Sequence, residues 1–445
     1  MARIADHSHL DTRANRSDNR DECPRAEVEP KLLDDIDVPP LEQSWRDTPL
    51  SEAEKAKVQA ILEACRDHDL LALRNLAVSL GGLIEDEVRR TAWPVLLGVK
   101  KQTTETDSEA AQSWQDFPPH REEGQVDLDV NRSFVYYPVA ESDARLDLRK
   151  AELSCIIKAT LRRHPILCYF QGYHDIVQVL LLVLGANAAP AAAARLSLLR
   201  IRDFMLPTMS GALAHLQLLP AILRAADTEL YEHLSQTAPF YFALPATLTL
   251  YAHDIQEYGD IARLFDFLLA SEAVVSMYLY AVIVVSRKKE LLELEADEHD
   301  MLHSILSKLP KPLDLDLLIG RAAKLFEDHP PARLRSWTWY SISSNSVLKT
   351  TSNLTKLASQ TLLHGERCFK RHAAEIQAYD TRKKNIARAN VLLRRYRRPA
   401  IATITTLVVA VLALYLRREG ASVDVLTRPL LMLRAKAWTY LRVVI

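Results

Sequence analysis

Glycine is scarce in this chain, with 11 residues in 445, and apolar residues seldom alternate with polar ones, so there are few candidates for a sheet. Neither sign of charge dominates: 56 Lys and Arg face 57 Asp and Glu, for a formal net charge of −1. The basic footprint of a nucleic-acid binder is missing. Five scattered cysteines (Cys23, Cys65, Cys155, Cys168, Cys368) form no C-x-x-C pair and have no histidine at ligand spacing. They indicate neither a disulfide framework nor a metal site, and they suit a reducing compartment. The opening stretch MARIADHSHLDTRANRSDNRDEC holds no apolar run and is not a secretory signal. Also absent are the phosphate loop G-x-x-x-x-G-K-[ST], a G-x-G-x-x-G turn, H-E-x-x-H and G-x-S-x-G, which argues against an enzyme acting alone.

What is present is helical. Hydrophobic residues make up 48% and charged residues 25%, the proportions of a globular protein, and the apolar positions recur every three or four residues, which predicts an all-α fold. Residues 1–48 are polar and dotted with prolines, and are expected to be a disordered arm. Ser51 and Glu54 form a capping-box pattern at the start of the first helix. Further helices are predicted near 84–98, 142–163, 173–188, 191–205, 212–236, 257–286, 298–308 and 313–327. The stretch 100–124 reads as a polar insertion, and 341–360 as a Ser/Thr-rich linker.

Two apolar stretches are long enough to attract a membrane reading. Residues 176–194 carry no charge but are interrupted by Gln178, Gly185, Asn187 and Pro190, and read as a buried core helix pair. Residues 399–416, 18 in number without a charge and bracketed by arginines, predict a transmembrane helix. Eight Lys or Arg lie in 379–398 against five in 417–436, so the preceding domain is expected to be cytosolic. With 29 residues after the span, insertion after release from the ribosome is expected. The basic, apolar tail 417–445 suits either an interfacial helix or a hairpin, or serves simply as an insertion tail.

Val126, Asp129 and Arg132 are spaced three apart, which places them on one helical face with Asp129 set to hold the Arg132 guanidinium. Some forty residues later the chain reads CYFQGYHDI (168–176), an amide and a charge at the mouth of an apolar helix. His164, His174, His253 and His299 each have an acidic neighbour and read as structural.

The pairing of V-x-x-D-x-x-R with Y-x-Q-G resembles the signature of the TBC domain, an all-helical GTPase-activating module for Rab small GTPases. The stretch RRTAWPVLLG (89–98) is similar to that family's R-x-x-x-W motif, through Arg89 and Trp93. Residues 242–285 resemble its later block, including an R-L-x-D-F-x-L helix that carries Asp266; these three residues are expected to be structural. The resemblance covers roughly 75–335. Taken with the capping box and the apolar run already described, it divides the chain into a domain 49–335, a linker and basic juxtamembrane helix 336–398, a span 399–416 and the tail 417–445. The resemblance also implies that Arg132 and Gln171 act as fingers on a partner Rab in its GTP form. The protein would turn over no substrate and hold no cofactor of its own, GTP and Mg²⁺ being carried by the partner.

The division of labour follows from chemistry. A small GTPase hydrolyses GTP slowly because charge developing on the transferring phosphoryl group is not neutralised and the attacking water is poorly ordered. Arginine, planar and always charged, answers the first fault; glutamine, which both donates and accepts without titrating, answers the second. Tyr169 would brace the loop, Gly172 would allow close backbone approach, and Asp175 would cap the next helix or orient a neighbour. The chain departs from the pattern at Ala246 and Leu250, where the family usually carries tryptophan. A scaffold that binds a Rab without stimulating it is the alternative reading. The resemblance is to endoplasmic reticulum members of the family acting in early secretory traffic, while the span itself also suits the mitochondrial outer membrane.

Overall fold

A computed structural model describes residues 49–99, 113–138, 141–235, 240–353, 357 and 359–418. The arm 1–48, most of the polar insertion and the tail beyond 418 lie outside the described residues. The chain divides into two compact units, Met1–Ala373 and Ala374–Ile445.

The first unit opens with α1 (Glu52–Arg66), α2 (Leu70–Val78), α3 (Asp86–Leu97), α4 (Glu123–Val130), α5 (Asp143–Arg163) and α6 (Tyr173–Leu199). There follow α7 (Ser210–Leu216), α8 (Leu219–Ala226), α9 (Thr228–Leu234), α10 (Leu244–Leu248), α11 (Tyr258–Ala270) and α12 (Val275–Ser286). Then come α13 (Lys288–Leu292), α14 (His299–Leu306), α15 (Leu315–Asp328), α16 (Thr338–Ser341), α17 (Val347–Thr350) and the long α18 (Leu362–Arg418), whose first turns, to Ala373, belong to this unit. No strand occurs among the described residues.

The helices start where the local chemistry tells them to. At α1 the capping box forms: the Glu54 N–H donates to Ser51 Oγ (3.3 Å) and the Ser51 N–H donates to Glu54 Oε2 (2.9 Å), satisfying two orphan donors of the first turn. Helix α6 is mostly buried and packs against α5 and α3. Its continuous apolarity is that of a helix surrounded by protein. The predicted pair 173–188 and 191–205 is one element kinked at Gly185 (φ 74°, ψ 169°), where glycine tolerates the left-handed value.

Two predicted helices break further. The stretch 212–236 is three short helices, because Pro220 begins α8 and Asp227 caps α9 by accepting from the Leu230 N–H at 2.9 Å. The stretch 257–286 is two. The end of α11 leaves carbonyls that the buried Arg200 guanidinium takes up, donating to Leu269 O (2.7 Å) and Ser271 O (2.6 Å). The missing C-terminal backbone bonds are made by a side chain.

The Ser/Thr-rich stretch expected to be a linker is bound into the first unit. The buried Asp203 carboxylate accepts from Ser346 Oγ and the Val347 N–H (3.1 Å), and also from His215 Nε2 (3.0 Å). Arg202 donates to Asn345 O and Thr350 Oγ1. Val347, Leu348, Cys368 and Phe369 are buried, so packing continues past residue 335. Among the described cysteines, Cys65, Cys168 and Cys368 are free and buried.

Candidate functional site

Two clusters emerge from the singled-out residues, one structural and one open to solvent. In the first, Asp266 of α11 is wholly buried and accepts from Arg89 Nε (3.0 Å), Arg89 Nη2 (3.0 Å), Trp93 Nε1 (2.8 Å) and the Leu83 N–H (3.0 Å). Arg89 also donates to Asp86 (2.8 Å). A charge pair can persist without water only when its remaining donors and lone pairs are satisfied in this way. Arg89 and Trp93 on α3 are thereby fixed to α11.

The second cluster is built around Asp129 on α4. Val126 and Asp129 are both fully buried, and the turn that follows the helix brings the Arg132 side chain back onto Asp129 while leaving it 63% exposed. Gln125, one turn earlier, donates to the same carboxylate oxygen at 3.0 Å. The other oxygen accepts from Tyr169 Oη at 2.9 Å. Burial, reinforced by the adjacent Asp129 carboxylate, pushes the Tyr169 hydroxyl far above its ordinary pKa, so it remains a donor at every physiological pH. The arginine is thus held by a carboxylate that is itself held by two neutral donors.

Tyr169 belongs to the loop between α5 and α6, which is tied to the segment before α4 at more than one point. Glu122 accepts from the Tyr169 N–H, and His120 Nε2 lies 3.1 Å from Leu167 O. Arg162 makes a paired contact with Glu123 (2.6 and 2.8 Å), and its guanidinium lies 5.0 Å from the Trp114 ring centroid. Two residues past Tyr169 the loop turns, and Gln171 is exposed with no hydrogen bond to its amide among the described residues. Gly172 has φ 100°, and a Cβ there would lie 2.5 Å from Thr249 Cγ2. The later block therefore packs directly on the loop, and only glycine fits. Asp175 makes no cap to α6; it lies 3.3 Å from His174 Nε2 and 3.1 Å from His253 Nδ1.

The structure thus joins Asp129, Arg132, Tyr169, Gly172 and Asp175 in one neighbourhood that presents Gln171, and it sets Arg89, Trp93 and Asp266 apart in the core. The sequence reading missed Gln125, although its spacing of four from Asp129 is the helical signal for such a contact. It also missed Gln178, which accepts from the Phe134 N–H at 3.0 Å, and Thr249. Their partners are distant in sequence and leave no local trace. Ala246 and Leu250 are buried, so the smaller side chains at these positions are packed.

A family model described as the Rab-GTPase-TBC domain matches residues 86–292. TBC1 domain family member 20 of Mus musculus is 37% identical over 283 residues, covering 63% of this chain and 69% of that protein. The chain belongs to the Rab-GTPase-TBC domain family. The GTPase-activating protein gyp10 of Schizosaccharomyces pombe is 31% identical over 318 residues, covering 71% of this chain and 83% of that protein. GTPase-activating protein GYP8 of Saccharomyces cerevisiae is 24% identical over 272 residues, covering 54% and 53%. Every residue of both clusters from Asp86 to Asp266 falls inside the matched TBC segment, but Leu83 and the Asp203-bound segment 345–351 lie beyond it.

Proposed function

We propose that this TBC-domain protein accelerates GTP hydrolysis on a Rab small GTPase by inserting Arg132 and Gln171 into the partner's active site. The observation that carries this reading is the pairing itself. An exposed guanidinium is clamped by a buried carboxylate, and Tyr169 links that carboxylate to the loop presenting an exposed amide with no hydrogen bond among the described residues. Arginine neutralises charge on the transferring phosphoryl group, an effect on the order of 10³ to 10⁵ in rate. Glutamine orders the attacking water through its paired donor and acceptor. The nucleotide and its Mg²⁺ belong to the partner, which would be engaged in its GTP form.

The apolar segment Pro399–Arg418, 20 residues long with none of it buried, supports membrane anchoring. At about 1.5 Å per residue it reaches about 30 Å, the thickness of a bilayer's hydrocarbon core. Among the described residues the other apolar helix of that length, α6, is mostly buried and serves as core. The charge bias favours a cytosolic TBC domain. The resemblance to anchored family members favours the endoplasmic reticulum and a Rab of early secretory traffic, and co-localisation with markers of that organelle and of the mitochondrial outer membrane separates the two.

The deciding experiment is GTP hydrolysis by a panel of Rabs with the full chain in detergent, wild type beside Arg132→Ala and Gln171→Ala. Stimulation of one or a few Rabs that both substitutions abolish supports the two-finger mechanism. Retained stimulation in a folded Arg132→Ala variant refutes it, and GTP-dependent binding without stimulation favours the scaffold reading.

A further inference from the structure

His174 extends the chain of contacts behind the arginine. Its Nδ1 lies 3.2 Å from Tyr169 Oη and its Nε2 lies 3.3 Å from Asp175 Oδ1, while Asp175 Oδ2 is 3.1 Å from His253 Nδ1. The proton inventory is restrictive. A tyrosine hydroxyl carries one proton, and His174 and Asp129 both lie within reach of it.

The competition is decided by burial. The Asp129 side chain is wholly buried, and Tyr169 is the one hydrogen-bond donor to its Oδ2 among the described residues. A buried acceptor deprived of its donor bears its desolvation uncompensated, and the cost is greater when the acceptor is charged. The Asp175 side chain is 15% exposed and retains His253 on its other oxygen, so it tolerates a missing donor better. Tyr169 therefore gives its proton to Asp129, and His174 must present an N–H, not a lone pair, at Nδ1.

We propose that His174 is a positioning residue for Arg132: its Nδ1–H donates to Tyr169, which commits the tyrosine's only proton to Asp129 and so orients the carboxylate that holds the guanidinium. This rests on the reading of Arg132 as a finger. The groups facing the imidazole are Tyr169, Asp175 and Asp129, with His253 and Arg132 one step further out. Burial lowers the imidazolium's stability against the pull of the two carboxylates. The residue is neutral at pH 7, with Nε2 bare toward Asp175. Protonation in acid adds a proton at Nε2 and leaves the Nδ1 donor in place, so the relay to Arg132 works in both states.

Two substitutions separate this role from packing. In His174→Asn the amide nitrogen stands near the position of Nδ1 and still donates to Tyr169; in His174→Leu the bulk stays and the donor is lost. With the full chain in detergent, His174→Leu is expected to lower stimulated kcat on the order of tenfold to a hundredfold, the scale of a misplaced catalytic group. KM for the GTPase should be unchanged, and His174→Asn should recover most of the loss. Equal activity of His174→Leu and wild type, equal impairment of both variants, or a change confined to KM overturns the proposal.

Two spectroscopic readings are independent of any GTPase. Long-range ¹H–¹⁵N spectra of ¹⁵N-histidine-labelled protein are expected to show His174 as the Nδ1–H tautomer near neutral pH; the Nε2–H pattern overturns the proposal. The Arg132 Nε–Hε resonance is expected to become more mobile in His174→Leu and to stay ordered in His174→Asn, and no difference between them overturns it. If wild type stimulates no Rab while these spectra appear as expected, it is the finger reading that has failed and not the positioning.

Discussion

Gly172 offers the sharpest quantitative test of how the Gln171 loop is held. Alanine there would adopt φ 100°, a strained backbone worth about 1–3 kcal/mol. Its Cβ would also sit 2.5 Å from Thr249 Cγ2, and Thr249 is restrained because its Oγ1 donates to Pro245 O at 3.0 Å. Overpacking of this kind costs a further ~1–3 kcal/mol. Thr249→Ser keeps the hydroxyl and removes the offending methyl; the next atom, Thr249 Cβ, is 3.7 Å away, an ordinary contact. Gly172→Ala alone should therefore destabilise by about 2–6 kcal/mol, and adding Thr249→Ser should recover the overpacking part. Denaturant unfolding of the four proteins in a double-mutant cycle should give a favourable coupling of roughly 1–3 kcal/mol, clear of the ~0.5 kcal/mol scatter of independent sites. Strict additivity would refute the claim that the Thr249 methyl is what excludes a side chain at position 172.

Two further outcomes follow from the same geometry. Asp266→Ala leaves the buried Arg89 guanidinium with Asp86 as its carboxylate partner and strips the Trp93 N–H of its acceptor, and should destabilise the first unit by about 3–5 kcal/mol, read as a lowered thermal midpoint. The hydrogen bond that His253 Nδ1 donates to the Asp175 carboxylate raises the His253 pKa. Because the folded value lies above the unfolded one, the stabilisation is complete below the ordinary imidazole pKa and fades as pH rises through the raised value. The stability difference between wild type and His253→Asn should accordingly shrink as pH rises from about 6 to about 8, and a difference that grows over that window would contradict the Asp175 contact.

The fold was legible wherever the deciding interaction is local. The Ser51–Glu54 box, the span of α5 and the Asp129–Arg132 pair each depend on residues within four positions of one another. Where the partner is remote, the reading failed. Serines 343 and 346 look like linker residues until Asp203, over a hundred positions earlier, turns Ser346 into an anchor. Gly172 was legible as a permissive position, but the reason for it, a threonine methyl 77 residues on, was not.

The Asp203 anchor has a consequence for where this domain ends. The family match stops at residue 292, yet beyond it lie Ser346 Oγ and the Val347 N–H, which join His215 Nε2 as hydrogen-bond donors to the carboxylate among the described residues. Of these donors, a chain ended at residue 335 would leave Asp203 only His215. The family model and the packed unit therefore have different borders in this molecule. The shared segment carries Arg132 and Gln171, but the packed unit includes a closing strap that runs to the start of α18.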